Sequence, residues 1–291
     1  MVTGKRSPIA PPPAALAPPG AKPLTGRQAI RSSGPLFSVA KRPQNLALRV
    51  LWYAEEGFGK TAASAHAPGA SFVLGPGEDG YETLLWRGLV PELPVARPET
   101  LLDLYHFLDR LAEEAEVPGW LVLDALGSFQ EMLFEYITAT EYNGVRGEKG
   151  FLSYQGGYRL AGREMERLLS RLERVRERGC NILLLAHATV GKRPNPEGRD
   201  FPRHQIQLHE KVYEPLIKWV DLALMGRFQT DVKEVAKGVV RGVGGSVRVL
   251  SAANADWMQA KNRFGDHEDV VVSGNTALDT WKALESFWKG D

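Results

Sequence analysis

The stretch Leu46-Ala47-Leu48-Arg49-Val50-Leu51-Trp52-Tyr53-Ala54-Glu55-Glu56-Gly57-Phe58-Gly59-Lys60-Thr61 decides the fold. Leu46 to Tyr53 is an apolar run that predicts a buried strand. From Ala54 to Thr61 the chain matches G-x-x-x-x-G-K followed by Ser or Thr, except that Ala stands in the first position. Each part of that pattern has a physical task. Backbone N–H groups turn toward phosphate oxygens, the Lys60 amine reaches the β and γ phosphates, and the Thr61 hydroxyl takes magnesium. Gly59 lets the backbone approach closely, and the helix N-terminus beyond it favours negative charge. The predicted cradle therefore runs through Glu56, Gly57, Phe58, Gly59, Lys60, Thr61 and Ala62. Ala54 demands a less permissive backbone angle than glycine, so the entry to the loop is expected to differ slightly.

Working outward, Trp120-Leu121-Val122-Leu123-Asp124 is an apolar strand that ends in a carboxylate. Such runs are common, but beside a phosphate loop the pattern predicts Asp124 as a magnesium ligand next to Thr61. Hydrolysis also needs a group to orient the attacking water. Glu78 is the candidate and Asp79 its rival, and a plain acidic turn is the alternative reading of Glu78-Asp79-Gly80. His187 closes the apolar strand Ile182 to Ala186, where a polar group can sense the γ-phosphate; a satisfied strand-end histidine is the alternative reading.

The rest of the chain alternates strands and helices. Ser71 to Leu74, Asn181 to Ala186 and Val220 to Met225 read as further strands. Leucines from Leu101 to Leu111 recur at helical spacing, giving a helix expected to end near Pro118. Met165 to Val175 marks another helix, stopped by Gly179, and a last one runs from Ala277 to Trp288. Val239 to Val243 and Val247 to Leu250 flank Gly244-Gly245, which reads as a hairpin turn. Repeated β-α units with uninterrupted apolar strands predict an α/β fold, a mostly parallel sheet covered on both faces.

Residues 1 to 45 differ. Prolines interrupt a run of Ala, Gly and Ser that is basic, with no acid before Glu55. A disordered basic tail followed by one domain from residue 46 is the expectation. The net charge of +1 shows no global field for nucleic acid or membrane, so a basic surface must be local. The single Cys180 excludes an intramolecular disulfide and fits a reducing cytoplasm. No apolar run reaches the length of a membrane helix.

The strand and phosphate loop, the Glu78 turn, the Asp124 strand and Ile182 to His187 together resemble the short RecA-like ATP-binding proteins of bacteriophages. Trp219 to Leu224 and Ala260-Lys261-Asn262-Arg263-Phe264-Gly265 extend the likeness, which covers residues 46 to 291. These proteins relate to RecA and RadB recombinases, and some anneal single strands. The resemblance implies a RecA-like core, ATP with Mg2+, hydrolysis stimulated by DNA, and a bacterial host's cytoplasm if the chain is phage-encoded. It implies a ring or filament with ATP between copies, where Lys261 and Arg263 act as trans fingers on a neighbour's γ-phosphate. A solvated basic turn is their alternative reading. Single-stranded DNA would meet the loops after the Asp124 and His187 strands. One loop, Ala188 to Leu208, carries Lys192, Arg193, Arg199, Arg203 and His204. The other region interleaves Tyr142, Phe151, Tyr154 and Tyr158 with Arg146, Lys149 and Arg159, bases stacking on aromatics and phosphates on cations. A single-stranded-DNA-binding protein is an implied partner, and Phe37-Ser38-Val39-Ala40 is similar to the element by which recombinase copies dock. Two other classes stay open: a P-loop kinase for a small molecule, and a nucleotide-gated binding protein with little turnover.

Overall fold

The computed structural model describes residues 46–193, 198–236, 239–253 and 255–289, so the expected tail and the Phe37 element lie outside them. In chain order the elements are β1 (Arg49–Ala54), α1 (Lys60–Ser64), β2 (Ala70–Leu74), α2 (Gly80–Trp86), β3 (Val95–Ala96), α3 (Leu101–Leu111), β4 (Trp120–Asp124) and α4 (Leu126–Glu141). There follow α5 (Gly156–Glu177), β5 (Asn181–Arg193), β6 (Phe201–Ile206), α6 (Glu210–Trp219), β7 (Leu222–Ala236), β8 (Val239–Ser251), β9 (Lys261–Asn262), β10 (Val270–Val271) and α7 (Ala277–Lys289).

The sheet order is β10-β8-β7-β1-β5-β4-β2-β3. From β7 to β3 every neighbour is parallel, while β8, β10, β9 and β6 add antiparallel pairs. The strand β1 is central, so both its faces are covered. Leu51 and Tyr53 join the core shared with α3, α4, α5 and α6. Val50, Trp52 and Ala54 join the other core, with α1 and α7. This two-sided burial explains why β1 reads as a continuous apolar run rather than an alternation. Trp52 is fully buried, and its truncation to Ala would cost about 3–5 kcal/mol.

Three expectations are corrected. Helix α3 stops at Leu111, short of Pro118; beyond it come Glu113, Glu114 and Glu116, and acids are unfavourable at a helix C-terminus. Gly244-Gly245 is not a turn. Val239 to Ser251 is one strand, paired antiparallel with β7, and the hairpin joins β7 to β8. The register shifts between Phe228↔Arg248 and Thr230↔Gly244, and Gly245 with φ 112° sits in that irregularity. Glycine there serves a bulge, where a left-handed residue without Cβ is tolerated. The third correction is the Ala188 to Leu208 loop. There β5 runs on to Arg193 and β6 returns beside it, from Ala188↔Ile206 to Arg193↔Phe201.

Both β5 and β7 pass the end of β1, where Ala54 pairs with His187 on one side and Gly226 on the other. Each then continues as a two-stranded ribbon, β5 with β6 and β7 with β8. Both ribbons thus leave the edge that carries the phosphate loop. Among the described residues no helix is long and apolar enough to cross a membrane.

Candidate nucleotide site

The turns after β1, β2 and β4 converge at one edge, where β5 passes with His187 beside Ala54. After β1, Gly57 takes φ 73° and Gly59 φ 95°, left-handed angles that a side chain would strain. With Gly59 as N-cap, α1 begins at Lys60. Ala54 is an ordinary strand residue, paired on both sides, so the missing first glycine is absorbed by the sheet. Phe58 is fully buried and packs on Trp52 and Phe228, at ring distances of 5.9 and 5.5 Å. Its side chain therefore anchors the loop from below, leaving only its backbone for phosphate. Gly226 makes the room: a Cβ there would come within 2.9 Å of the Phe58 ring.

The Lys60 side chain is buried, and its amine donates to the carbonyls of Ala54 (3.1 Å) and Glu55 (3.4 Å). Burial pulls the amine's pKa down, while the charges of Asp124, Glu56 and Glu78 oppose that. The Thr61 hydroxyl donates to Asp124 Oδ2 at 2.6 Å. Asp124 is 6% exposed, and burial pushes its carboxyl up to about 6; the Glu78 charge adds to this, while the Thr61 hydrogen bond and Lys60 oppose it.

Glu78 sits across from them. The Gly75 N–H donates to the Asp124 carbonyl (2.9 Å), which ties the turn after β2 to the end of β4. Gly75 allows this contact, since a Cβ there would meet Ser128 Cβ at 2.5 Å. The Ser128 hydroxyl donates to Glu78 Oε1 at 2.5 Å. Glu78 is half-buried and close enough to affect Asp124, Lys60 and His187, whereas Asp79 is exposed at the start of α2. Ser128 was not anticipated; a lone serine in the first turn of a helix carries no sequence signal. His187 is half-buried, and burial first, then the Lys60 charge, lowers its pKa. Its Nδ1 is buried without a hydrogen-bond partner among the described residues. Ala62, on the exposed flank of α1, lines with Gly59, Leu84, Leu89 and Arg248 a cavity of about 500 Å³.

These residues fit magnesium. No cluster of three or more His, Cys, Asp or Glu side chains suited to a metal exists among the described residues. Magnesium at phosphates needs none, because it takes one or two protein oxygens and fills its shell with phosphate and water. Thr61 and a buried carboxylate awaiting a counter-charge supply those oxygens.

Other candidates lie elsewhere. Lys261 and Arg263 are not at this chain's own phosphate loop: β9 pairs with Leu222 and Ala223, at the opposite end of β7. Lys261 donates to the carbonyls of Ile217 and Lys218, both at 2.8 Å, and Arg263 pairs with Asp221 at 2.9 Å, which Arg49 also grips. Of the proposed nucleic-acid residues, Lys149 and Lys192 are exposed, Arg199 is exposed beyond the ribbon, and Tyr154 is 95% exposed. Arg146 is exposed but pairs with Glu131 at 2.5 Å. The Arg193 side chain lies outside what is described. Arg203, midway along the ribbon opposite Gly191, is engaged within the chain, donating to the Met258 carbonyl at 2.8 Å. Phe151 is corrected: it is buried against Phe134 and Tyr158, and cannot stack on a base. Tyr158, in the first turn of α5, stacks at 3.7 Å on His209, the N-cap of α6, so the start of α5 lies beside the segment that follows β6.

The AAA domain family (AAA_24) matches residues 46–264. No curated protein matches. Among solved structures, a prototypical ATPase from the type III secretion system of pathogenic bacteria is similar at 14% identity and TM-score 0.32, over 62% of this chain and 51% of that one. The chain spans about half the length of that ATPase, and so slight a likeness carries no argument.

Proposed function

The chain belongs to the AAA domain family, a P-loop ATPase family, and from that premise we propose that it hydrolyses MgATP while holding single-stranded DNA, in recombination or strand annealing. One observation carries the nucleotide half: Thr61 hydrogen-bonds Asp124 at 2.6 Å while Glu78, oriented by Ser128, faces the same point.

In the proposed chemistry, Lys60 leaves the loop carbonyls for the β and γ phosphates, and its charge offsets that developing on the transferred group. Magnesium, held by Thr61 and Asp124, would supply further neutralisation of phosphate charge. Glu78 accepts a proton from water as the water oxygen attacks the γ-phosphorus. The bond to the bridging oxygen breaks, and ADP and phosphate depart. His187, which pairs with Ala54 at this edge and whose Nδ1 lacks a hydrogen-bond partner among the described residues, is the candidate to hydrogen-bond the γ-phosphate.

The DNA half rests on the exposed cations Lys149, Lys192 and Arg199 and on Tyr154, which suit a sequence-tolerant single-strand site. For a RecA-like assembly, Lys261 and Arg263 lie at the far end of the sheet from their own phosphate loop. In the proposed assembly they would leave their present partners to serve a neighbour's ATP. A single-stranded-DNA-binding protein is the protein partner we propose on the resemblance. Phosphate release by wild type and Lys60→Ala, with and without oligo(dT), tests the reading. Stimulation by DNA in wild type and no turnover in the variant are expected; normal turnover by Lys60→Ala would refute the phosphate-loop assignment.

A further inference from the structure

Helix α5 carries many arginines, and they fall into two groups. Toward its C-terminal half each is engaged: Arg167 with Glu164, Arg171 with Asp109 at 3.2 Å, Arg174 with Asp109 at 2.6 Å, and Arg176 with Glu173 at 2.7 Å. Arg159 and Arg163, nearer its start, are exposed, and neither has a side-chain hydrogen bond or ion pair among the described residues. They lie four apart, so they share one helix face.

That face turns toward α6. The two helices touch at Gly162, where a Cβ would meet the Lys211 carbonyl oxygen at 2.7 Å. Between them runs a groove of about 330 Å³, lined by Arg159, Arg163, Lys211 and Lys218 against Glu166 and Glu214. Lys211 is partly neutralised by Glu214 at 3.3 Å, but the Lys218 amine, like the two guanidiniums, has no acidic partner among the described residues. Beside the engaged arginines of the same helix, three unpaired cations around one groove mark a place for an external polyanion.

We propose that this α5–α6 groove binds the phosphate backbone of single-stranded nucleic acid and extends the path that begins at the β5–β6 ribbon. The proposal rests on the DNA half of the proposed function. Its favoured ligand follows from position. Arg159 directly follows Tyr158, which stacks on His209 in the segment that follows β6. The 95%-exposed Tyr154 lies just before α5. A strand leaving the ribbon past these aromatics meets the groove next. Backbone contacts made by flexible cations carry no base preference, so the groove lengthens the bound segment without adding sequence specificity.

The test is the salt dependence of oligo(dT) binding, followed by fluorescence anisotropy. The variant is Arg159→Ala/Arg163→Ala/Lys218→Ala; its residues are exposed and unpaired, so its melting should match wild type. Each lost phosphate contact reduces the single-strand slope of log K against log salt by about 0.7, so the slope should fall by about 2 and the affinity by about tenfold or more. Arg87→Ala/Lys282→Ala, which removes two exposed cations elsewhere, should leave the slope as it is. Four results would overturn the proposal. One is an unchanged slope in the triple variant while Lys192→Ala/Arg199→Ala in the ribbon still lowers it; the DNA reading then survives and the groove does not. Another is an equal fall in the control, which would reduce the effect to net charge. The third is binding of labelled polyglutamate, lost in the triple variant, with oligo(dT) unaffected, which would assign the groove to an acidic polypeptide. Wild type that binds no oligo(dT) at all would remove both readings together.

Discussion

Replacing Asp124 with Asn should stabilise the nucleotide-free protein while removing its magnesium-dependent turnover. The reason lies in burial. The carboxyl is 6% exposed and titrates at about 6 instead of its ordinary 3.8. Below about pH 4 the group is protonated in folded and unfolded chains alike, and its ionisation costs the fold nothing. As pH rises from about 4 to 6, the unfolded chain gives up the proton while the folded one keeps it, so stability falls across that window. Above about 6 the folded carboxyl is ionised too, and the loss levels off. At about 1.4 kcal/mol per pH unit, the full loss is about 3 kcal/mol. Asn has no charge to desolvate, and its side-chain oxygen can still accept from Thr61. Melts in EDTA should place the variant about 6–12 °C above wild type at pH 7.5, with the gap closing toward pH 4. Adding MgATP should raise the wild-type melting point, since a cation at Asp124 offsets the cost of burying its charge, and should do much less for Asn. A gap that stays constant with pH, or a variant that melts below wild type at pH 7.5, would refute the argument that the site holds a charge at the fold's expense.

Glu78→Gln should keep ATP affinity and lose turnover by about 10²-fold or more, measured as phosphate release beside fluorescent-nucleotide binding; intact turnover would move the role to another group. Ser128→Ala should lower kcat by about tenfold or less and leave KM unchanged, because Ser128 only aims the Glu78 carboxylate; an unaltered kcat would make that hydrogen bond incidental. Arg263→Ala, mixed with Lys60→Ala, should recover activity that neither has alone if Arg263 serves a neighbour's ATP. Absence of rescue in mixed oligomers confirmed by mass would return Arg263 to its structural contact with Asp221.

The nucleotide edge was legible because its chemistry is local. A strand, two left-handed glycines and a lysine lie within one short segment, and the Asp124 strand repeats the same apolar-then-carboxylate signal. Ser128 was not legible: its role depends on Gly75 and Ser128 approaching across two different β-α turns. The place of Phe58 in the loop follows from position alone, whereas the burial of its side chain depends on Gly226, far along the chain, and could not be read locally. Gly244-Gly245 misled for a related reason. Paired glycines usually mark a turn, but the long β7 supplies a partner on both sides of them, so the turn chemistry yielded to a bulge. The β5–β6 ribbon was hidden by Gly191, Pro202 and its charges, which break the period-two pattern. Pro202 is tolerated there because a two-stranded ribbon has a free edge. Phe151 misled in another way. It lies in a short loop segment with Lys149, Ser153 and Tyr154, and only its packing on Phe134 of α4 and Tyr158 of α5 reveals that it is core.

The connection between nucleotide and ribbon follows from one strand having two jobs. From Arg49↔Ile182 to Ala54↔His187, β5 is fixed in the sheet beside β1; from Ala188 it belongs to the ribbon. His187 stands at the change. Its carbonyl accepts from the Gln207 N–H at 2.9 Å, just past the end of β6, while its Nδ1 is left for another partner. A second tie runs from β1 itself. The Tyr53 hydroxyl donates to the Gln259 carbonyl at 2.6 Å, and the Gln259 side chain accepts from the Ile206 N–H at 2.9 Å. The ribbon's returning strand is therefore fastened both to β5 and, through Gln259, to β1, which ends at the phosphate loop. A bound γ-phosphate that drew on His187 would act directly on a residue in the ribbon's root. In the proposed reading, ATP and DNA need no long relay between them: the coupling element is the strand they share.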